Sequence, residues 1–345
     1  MWTELLGQYG LFAAKLITLL VGALALALIV GGMRRQRPPI PQGDLQLEHL
    51  NRHYQRLRNG LSRRLQPVRN SRWQRLKNHR PWRAKAKTPP AQTNGRRVFV
   101  LDFHGDLQAS ATVALREEIS ALLQVAENHD EVVLRLESSG GMVHAYGLAA
   151  SQLQRLRDRG IALTVCVDKV AASGGYMMAC VGQRIVAAPF AIVGSIGVVA
   201  QLPNLHRLLQ RRDVDIELHT AGVFKRTLTV LGENTPEARE KFRQELEEAH
   251  DLFKQFVRQH RTRLDIDKVA TGEHWYGTQA LELRLIDEVS TSDDYLMRLL
   301  DQAQIYRLRY RLARPMSRRL LSLGGRLGDA VVSWLASRHH LLFKD

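Results

Sequence analysis

Acidic side chains are nearly missing from residues 34–97, cysteine from almost the whole chain, and charge of either sign from the run Leu16 to Met33. Only Cys166 and Cys180 are present, both in apolar settings, which excludes a disulfide framework and offers no metal-ligand spacing. They read as buried thiols. Residues 34–97 hold 18 Lys/Arg against Asp44 and Glu48 alone, so this one stretch accounts for the chain's net charge of +16. Residues 98–306 are mildly acidic, and Asp329 and Asp345 are the only acids after residue 306. The basic charge therefore lies in two flanks, not in a basic central domain. With 345 residues and 45% hydrophobic content, the chain is not disordered and has length for about two domains.

The uncharged run extends back to Leu11 across the single Lys15. At about 1.5 Å per helical residue it is long enough to cross a hydrocarbon core of about 30 Å. Glu4 precedes it and Arg34-Arg35-Gln36-Arg37 follow, the reverse of the charge order in a cleaved signal peptide. The expectation is an uncleaved transmembrane anchor over 11–33, with the arginines, and so the large domain, on the cytoplasmic side. Residues 34–96, with Pro38-Pro39, Pro89-Pro90 and dense arginine, read as an extended basic linker that contacts anionic lipid headgroups. Tyr54, Trp73 and Trp82 interleave with the arginines, so nucleic acid is the alternative partner. The position directly behind the span favours lipid.

The central part alternates strand and helix patterns. Val98–Leu101, Val132–Leu136, Ile161–Val167 and Ile185–Ala187 read as strands, and Ala111–Ala126, Val143–Leu156 and Ser173–Cys180 as helices. Such alternation predicts an α/β domain with mostly parallel pairing. Thr235-Pro236 marks a further helix start, followed by a stripe from Ala238 through Phe242, Leu246 and Phe253 to Phe256 that suits packing or subunit contact. Beyond residue 300, Met316, Leu320, Leu323, Leu327, Val331 and Trp334 share one face of an amphipathic basic tail suited to a membrane surface or a neighbouring subunit.

Two strand-to-helix junctions carry chemistry. One is Glu137-Ser138-Ser139-Gly140-Gly141 and the other Ala171-Ala172-Ser173-Gly174-Gly175. Glycine amides there can approach a ligand unshielded, with a helix dipole behind them. A serine on such a turn is ordinarily a cap or turn residue. It becomes a nucleophile only when something takes its proton, and Lys225, in Gly222-Val223-Phe224-Lys225-Arg226, can do so as a neutral amine. A glycine turn beside a serine turn supplies a nucleophile and amide donors for an oxyanion.

The run Asp168 to Tyr176, then Val193-Gly194-Ser195-Ile196-Gly197-Val198, then Gly222-Val223-Phe224-Lys225, resembles the signal peptide peptidase A family of serine-lysine peptidases. Anchor, linker and length look like one membrane-anchored bacterial branch of it. The resemblance implies a crotonase-like (ClpP-like) fold of ββα units behind an N-terminal transmembrane helix, and cleavage of peptides or unfolded protein segments without metal or other cofactor. It further implies a homo-oligomer at the bacterial inner membrane. Position by position, it makes Ser173 the nucleophile and Lys225 the general base. Gly141 and Gly174 become oxyanion donors, Gly140 shapes the turn, and Ser195 holds the lysine, if it is not merely a turn residue. The expected domains are a short segment 1–10, the anchor 11–33, the linker 34–96, the peptidase domain 97–300 and the tail 301–345. Arg284 stands where the family shows glycine, which predicts a left-handed residue strained by roughly 1 kcal/mol. Glu273 stands where many relatives carry arginine, and no physical reason for it is apparent.

A lysine accepts a proton only when neutral, and burial disfavours its charged form. Lys225 is therefore expected to be buried beside Val223 and Phe224, with activity rising toward alkaline pH. Lys169 is a rival base, better placed for a solvated role, and His144 reads as a groove residue because the serine turn lacks Gly-x-Ser-x-Gly. Two other classes stay open: a crotonase-like scaffold that binds peptides or acyl groups without cleaving them, and a membrane-tethered interaction protein.

Overall fold

A computed structural model describes residues 43–65 and 95–312, with Lys15, Thr18 and Gly22. The chain divides into two compact units, residues 45–311 and residues 1–44 with 312–345. The first holds the candidate site and both sheets, apart from the strand-end residues Gly43, Asp44 and Leu312. Apart from those three residues, the expected anchor over 11–33 lies outside the described residues, as does the amphipathic stripe from Met316. Among the described residues no helix is long and apolar enough to cross a membrane.

The large sheet has seven strands in the order β1-β10-β2-β3-β4-β6-β9. They are β1 (Gly43–His49), β2 (Arg97–His104), β3 (Glu131–Glu137), β4 (Ala162–Val167), β6 (Arg184–Ala187), β9 (Glu288–Val289) and β10 (Gln304–Leu312). From β10 to β9 every neighbouring pair is parallel. A second sheet has the order β5-β7-β8, from Val170–Ala172, Ile192–Gly194 and His274–Tyr276. Each strand of the centre is apolar on both sides, as a sheet covered on both faces requires. In β2, Phe99, Leu101 and Phe103 face one core, while Val98 and Val100 face another.

The first core lies under helices α2 (Thr112–Val125), α3 (Val143–Asp158), α4 (Gly174–Ala179) and the end of α6 (Pro236–His260). Thr235 caps α6 by accepting a hydrogen bond from the Ala238 amide, with Pro236 at the first helical position. Only Phe253 and Val257 of α6 are fully buried, so the expected stripe packs at its C-terminal end and is half-covered at Phe242 and Leu246. The second core lies between the sheet and α9 (Ser292–Leu299), closed by Leu50 from α1 (Leu50–Leu65).

That last contact corrects two expected boundaries. Residues 43–65 are not an extended linker but β1 and α1, and residues 304–312 are not tail but the strand between β1 and β2. Leu50 is buried, and the Asn51 side chain donates to the carbonyls of Leu300 and Ala303 and accepts from the Ile305 amide. A few contacts of this kind hold down a helix whose other residues are mostly arginine and exposed leucine. The remaining short helices are α5 (His206–Gln210), α7 (Ile266–Val269) and α8 (Gly277–Glu282). After α8, Arg284 has φ +63, as expected of a residue in glycine's place. Its carbonyl accepts from Arg261, which also forks onto Asp287, so the strain is held by a two-pronged ion pair.

β10 also buries a carboxyl. Glu118 of α2 accepts the Tyr310 amide at 2.7 Å, and burial, followed by the nearby Asp102 charge, pushes its pKa up to about 7 from 4.5. The folded protein thus keeps a proton that the unfolded chain releases. Stability is fully present below about pH 4.5 and is lost as pH rises to about 7, by up to about 3 kcal/mol. Glu118→Gln should match wild type at pH 4.5 and exceed it at pH 8 in chemical denaturation. Parallel pH curves for the two proteins would refute this.

Candidate active site

β5 is three residues long and pairs in parallel with β7, Ala172 opposite Gly194. The chain then turns sharply into α4, and Ser173 is the residue that turns it, at φ +51 and ψ −119. A serine in this region costs about 1–3 kcal/mol, a strain retained where surrounding structure enforces it. Here the Ser173 amide donates to the Gly194 carbonyl at 2.8 Å, and its carbonyl accepts from Met177. The six residues of α4 are buried, which leaves the partly exposed Ser173 at their head.

The glycine turn lies directly against it. Ser138 runs beside Ala171, its amide donating to Val170 and its carbonyl accepting from Ala172. Gly140, at φ +93, comes so close that a Cβ there would sit 2.8 Å from each of the Ala172 carbonyl oxygen, the Gly174 nitrogen and the Ser173 Cβ. A Cβ on Gly174 would strike the Tyr146 ring at 2.4 Å. Only glycine fits either place. Among the described residues, the Gly141 and Gly174 amides donate to no protein acceptor. The Gly140 amide is already used, donating to the Ser138 hydroxyl at 3.1 Å.

The structure brings three of the six expected residues together here, Ser173, Gly174 and Gly140, and Gly141 follows in the same turn against Leu107. Ser195 follows Gly194 at the end of the strand paired with β5, also at φ +51, with its amide donating to Glu273 and its hydroxyl to Gly272 at 3.4 Å. Glu273 thus enters through its backbone, while its carboxylate accepts from Thr271.

Lys225 is not joined to them. It lies in an exposed segment, and no hydrogen bond or ion pair links it to Ser173 or Ser195 in the single chain. The burial expected from its neighbours is absent, since Val223 is 88% and Phe224 56% exposed. The Phe224 ring meets the Lys241 ammonium instead, 5.7 Å from the ring centre. The physical reason is that residues 198–232 have almost no core of their own, and Val199, Leu208 and Leu218 are exposed as well. Lys169 donates through its ammonium to both Glu137 oxygens, at 3.0 and 3.1 Å. His144 is exposed. Cys166 and Cys180 are buried, and burial pushes the Cys180 thiol up to about 12. Among the described residues, no group of three His, Cys, Asp or Glu could hold a metal ion.

Residues 4–153 match the family model "Peptidase family S49 N-terminal", and residues 155–306 match "Peptidase family S49". This chain belongs to peptidase family S49. It falls in the SohB branch. It is 51% identical over 326 residues to the probable protease SohB of Haemophilus influenzae, covering 92% of each chain. To the probable protease SohB of Buchnera aphidicola subsp. Schlechtendalia chinensis it is 48% identical, over 84% of this chain and 98% of that one. Protease 4 of Haemophilus influenzae is more distant, 27% identical over 52% of this chain and 30% of its own. The mixed α/β architecture with its large sheet fits the ClpP-like fold of S49, and membership makes the chain a peptidase acting on peptide or protein substrates. Sequence reasoning alone does not assign a role to Ser138 or Tyr146, which meet behind the glycine turn. A buried tyrosine inside a helix carries no periodic signal that separates it from core.

Proposed function

We propose that this S49 peptidase is a membrane-anchored bacterial serine endopeptidase that works through Ser173 and Lys225. The observation that carries the reading is Ser173 itself, a strained serine at a strand-to-helix turn with two undonated glycine amides beside it. The Ser173 hydroxyl attacks the peptide carbonyl while neutral Lys225 takes its proton. The Gly141 and Gly174 amides receive the oxyanion. Collapse expels the amine, which takes the proton back from the Lys225 ammonium and leaves an acyl ester on Ser173. Water, deprotonated by the Lys225 amine, then attacks the ester, and the ammonium returns its proton to the departing Ser173 oxygen as the acid is released. Ser195 holds the lysine in line. The exposed Val223 and Phe224 beside Lys225 offer a face that another copy of this chain can cover.

Incubating the full chain in detergent with a fluorophosphonate should leave a covalent adduct on the peptide that contains Ser173. An adduct elsewhere, or none from a protein that cleaves denatured casein, would remove the serine mechanism. The substrate class is peptides or unfolded and membrane-derived protein segments. The apolar run over 11–33 and the arginines after it support anchoring in the inner membrane with the peptidase domain in the cytoplasm, and the basic charge of residues 34–97 supports contact with anionic lipid. Protease added outside spheroplasts should then spare residues 97–312; their digestion would reverse the orientation.

A further inference from the structure

The Ser138 hydroxyl is 2.5 Å from the Tyr146 hydroxyl, and both residues are essentially inaccessible to water. Their protons have only one consistent arrangement. A phenol has a single proton to give, and Tyr146 gives it to the Asp106 carbonyl at 2.8 Å. Tyr146 therefore accepts from Ser138, and the Ser138 oxygen in turn accepts the Gly140 amide at 3.1 Å. The result is a directed chain from the Gly140 N–H through two hydroxyls to a backbone carbonyl. Its far end is fixed too, because the Gly105 amide donates to Glu137 and the Met142 amide to Leu107, at 2.9 Å each. The loop 105–107 thus clamps the glycine turn on both sides of residue 140.

We propose that Ser138 and Tyr146 are positioning residues that orient the oxyanion turn, a proposal that rests on the serine peptidase reading above. By occupying the Gly140 amide, the chain fixes the plane of that peptide and leaves the next amide, that of Gly141, as the free donor beside Ser173. Without the phenol oxygen to accept its proton, the Ser138 hydroxyl can rotate and release Gly140, and the turn loses its set angle. Small displacements of this kind cost rate more than affinity, since the oxyanion forms only in the transition state.

The test uses the full chain in detergent, with fluorophosphonate titration to count working sites and a peptide substrate to measure turnover. Tyr146→Phe keeps the ring and removes one oxygen. Its kcat per titrated site should fall by about a hundredfold, with KM within about twofold. Ser138→Ala should behave alike, and the double variant should be no worse than the poorer single one, because a chain is broken only once. A merely structural role would lower the melting temperature and the number of titratable sites while leaving kcat per site unchanged. Wild-type kcat per site in Tyr146→Phe, or losses that multiply in the double variant, would overturn the proposal. If Tyr146→Phe does not fold, Ser138→Ala decides by the same ratio. A wild type that neither labels at Ser173 nor cleaves peptide would bring down the serine reading and this proposal together; an active, labelled wild type with an indifferent Tyr146→Phe removes this proposal alone.

Discussion

Peptide hydrolysis by the Ser173→Ala protein should fall by at least about 10⁴-fold, to the level that binding and oxyanion donors alone can give. The loss is this large because alanine leaves no atom to form the acyl ester. It should not be a folding effect. The amide of residue 173 still donates to Gly194, its carbonyl still accepts from Met177, and alanine meets the same φ of +51 without a bulkier side chain. Far-ultraviolet circular dichroism and the melting temperature should stay close to wild type while turnover disappears. Retained turnover in this variant would mean that the nucleophile lies elsewhere, and the peptidase would need a different mechanism.

Lys225→Ala should be nearly as inactive, and Lys225→Arg should not restore it. An arginine keeps the positive charge and comparable reach, but its guanidinium does not give up its proton under working conditions, so it cannot serve as a base. This comparison separates a proton acceptor from a residue that supplies only charge. Wild-type activity should rise toward alkaline pH, since only the neutral amine works. The exposed setting of Lys225 in the single chain adds a further expectation. If the Lys225 that serves each Ser173 comes from a second copy, mixed oligomers of Ser173→Ala and Lys225→Ala chains should regain part of the activity that neither variant has alone. Substantial turnover by Lys225→Arg would exclude the general-base role.

Much of the α/β plan was legible residue by residue. The strands at Val98, Val132, Ile161 and Ile185 and the helices between them announced themselves because their apolar residues are contiguous or periodic, and those patterns are local. Ser173, Gly174, Gly140 and Gly141 were legible for a similar reason: glycine next to a strand end marks a place where backbone must come close to something. The strand β10 was missed because its pairing with β2 and its arginine bonds to Asp102 join segments about 200 positions apart, and helix α1 because it is held by one buried leucine and one asparagine bonded to residues about 250 positions away. In a stretch with 18 basic side chains, that signal is lost. Lys225 was expected to be buried because Val223 and Phe224 flank it, yet apolar neighbours in sequence do not bury a lysine unless other surfaces cover them all.

The amino-acid order by itself determined the strand and helix pattern, the two glycine turns and the chemical types at the candidate site, because each depends on residues only a few positions apart. Tertiary structure alone decided that Gly140 abuts Ser173, that Ser138 and Tyr146 join in one proton chain, and that the Lys225 segment stands uncovered. Those outcomes depend on distances between segments far apart along the chain, set by sheet register and by the closeness that a missing Cβ permits.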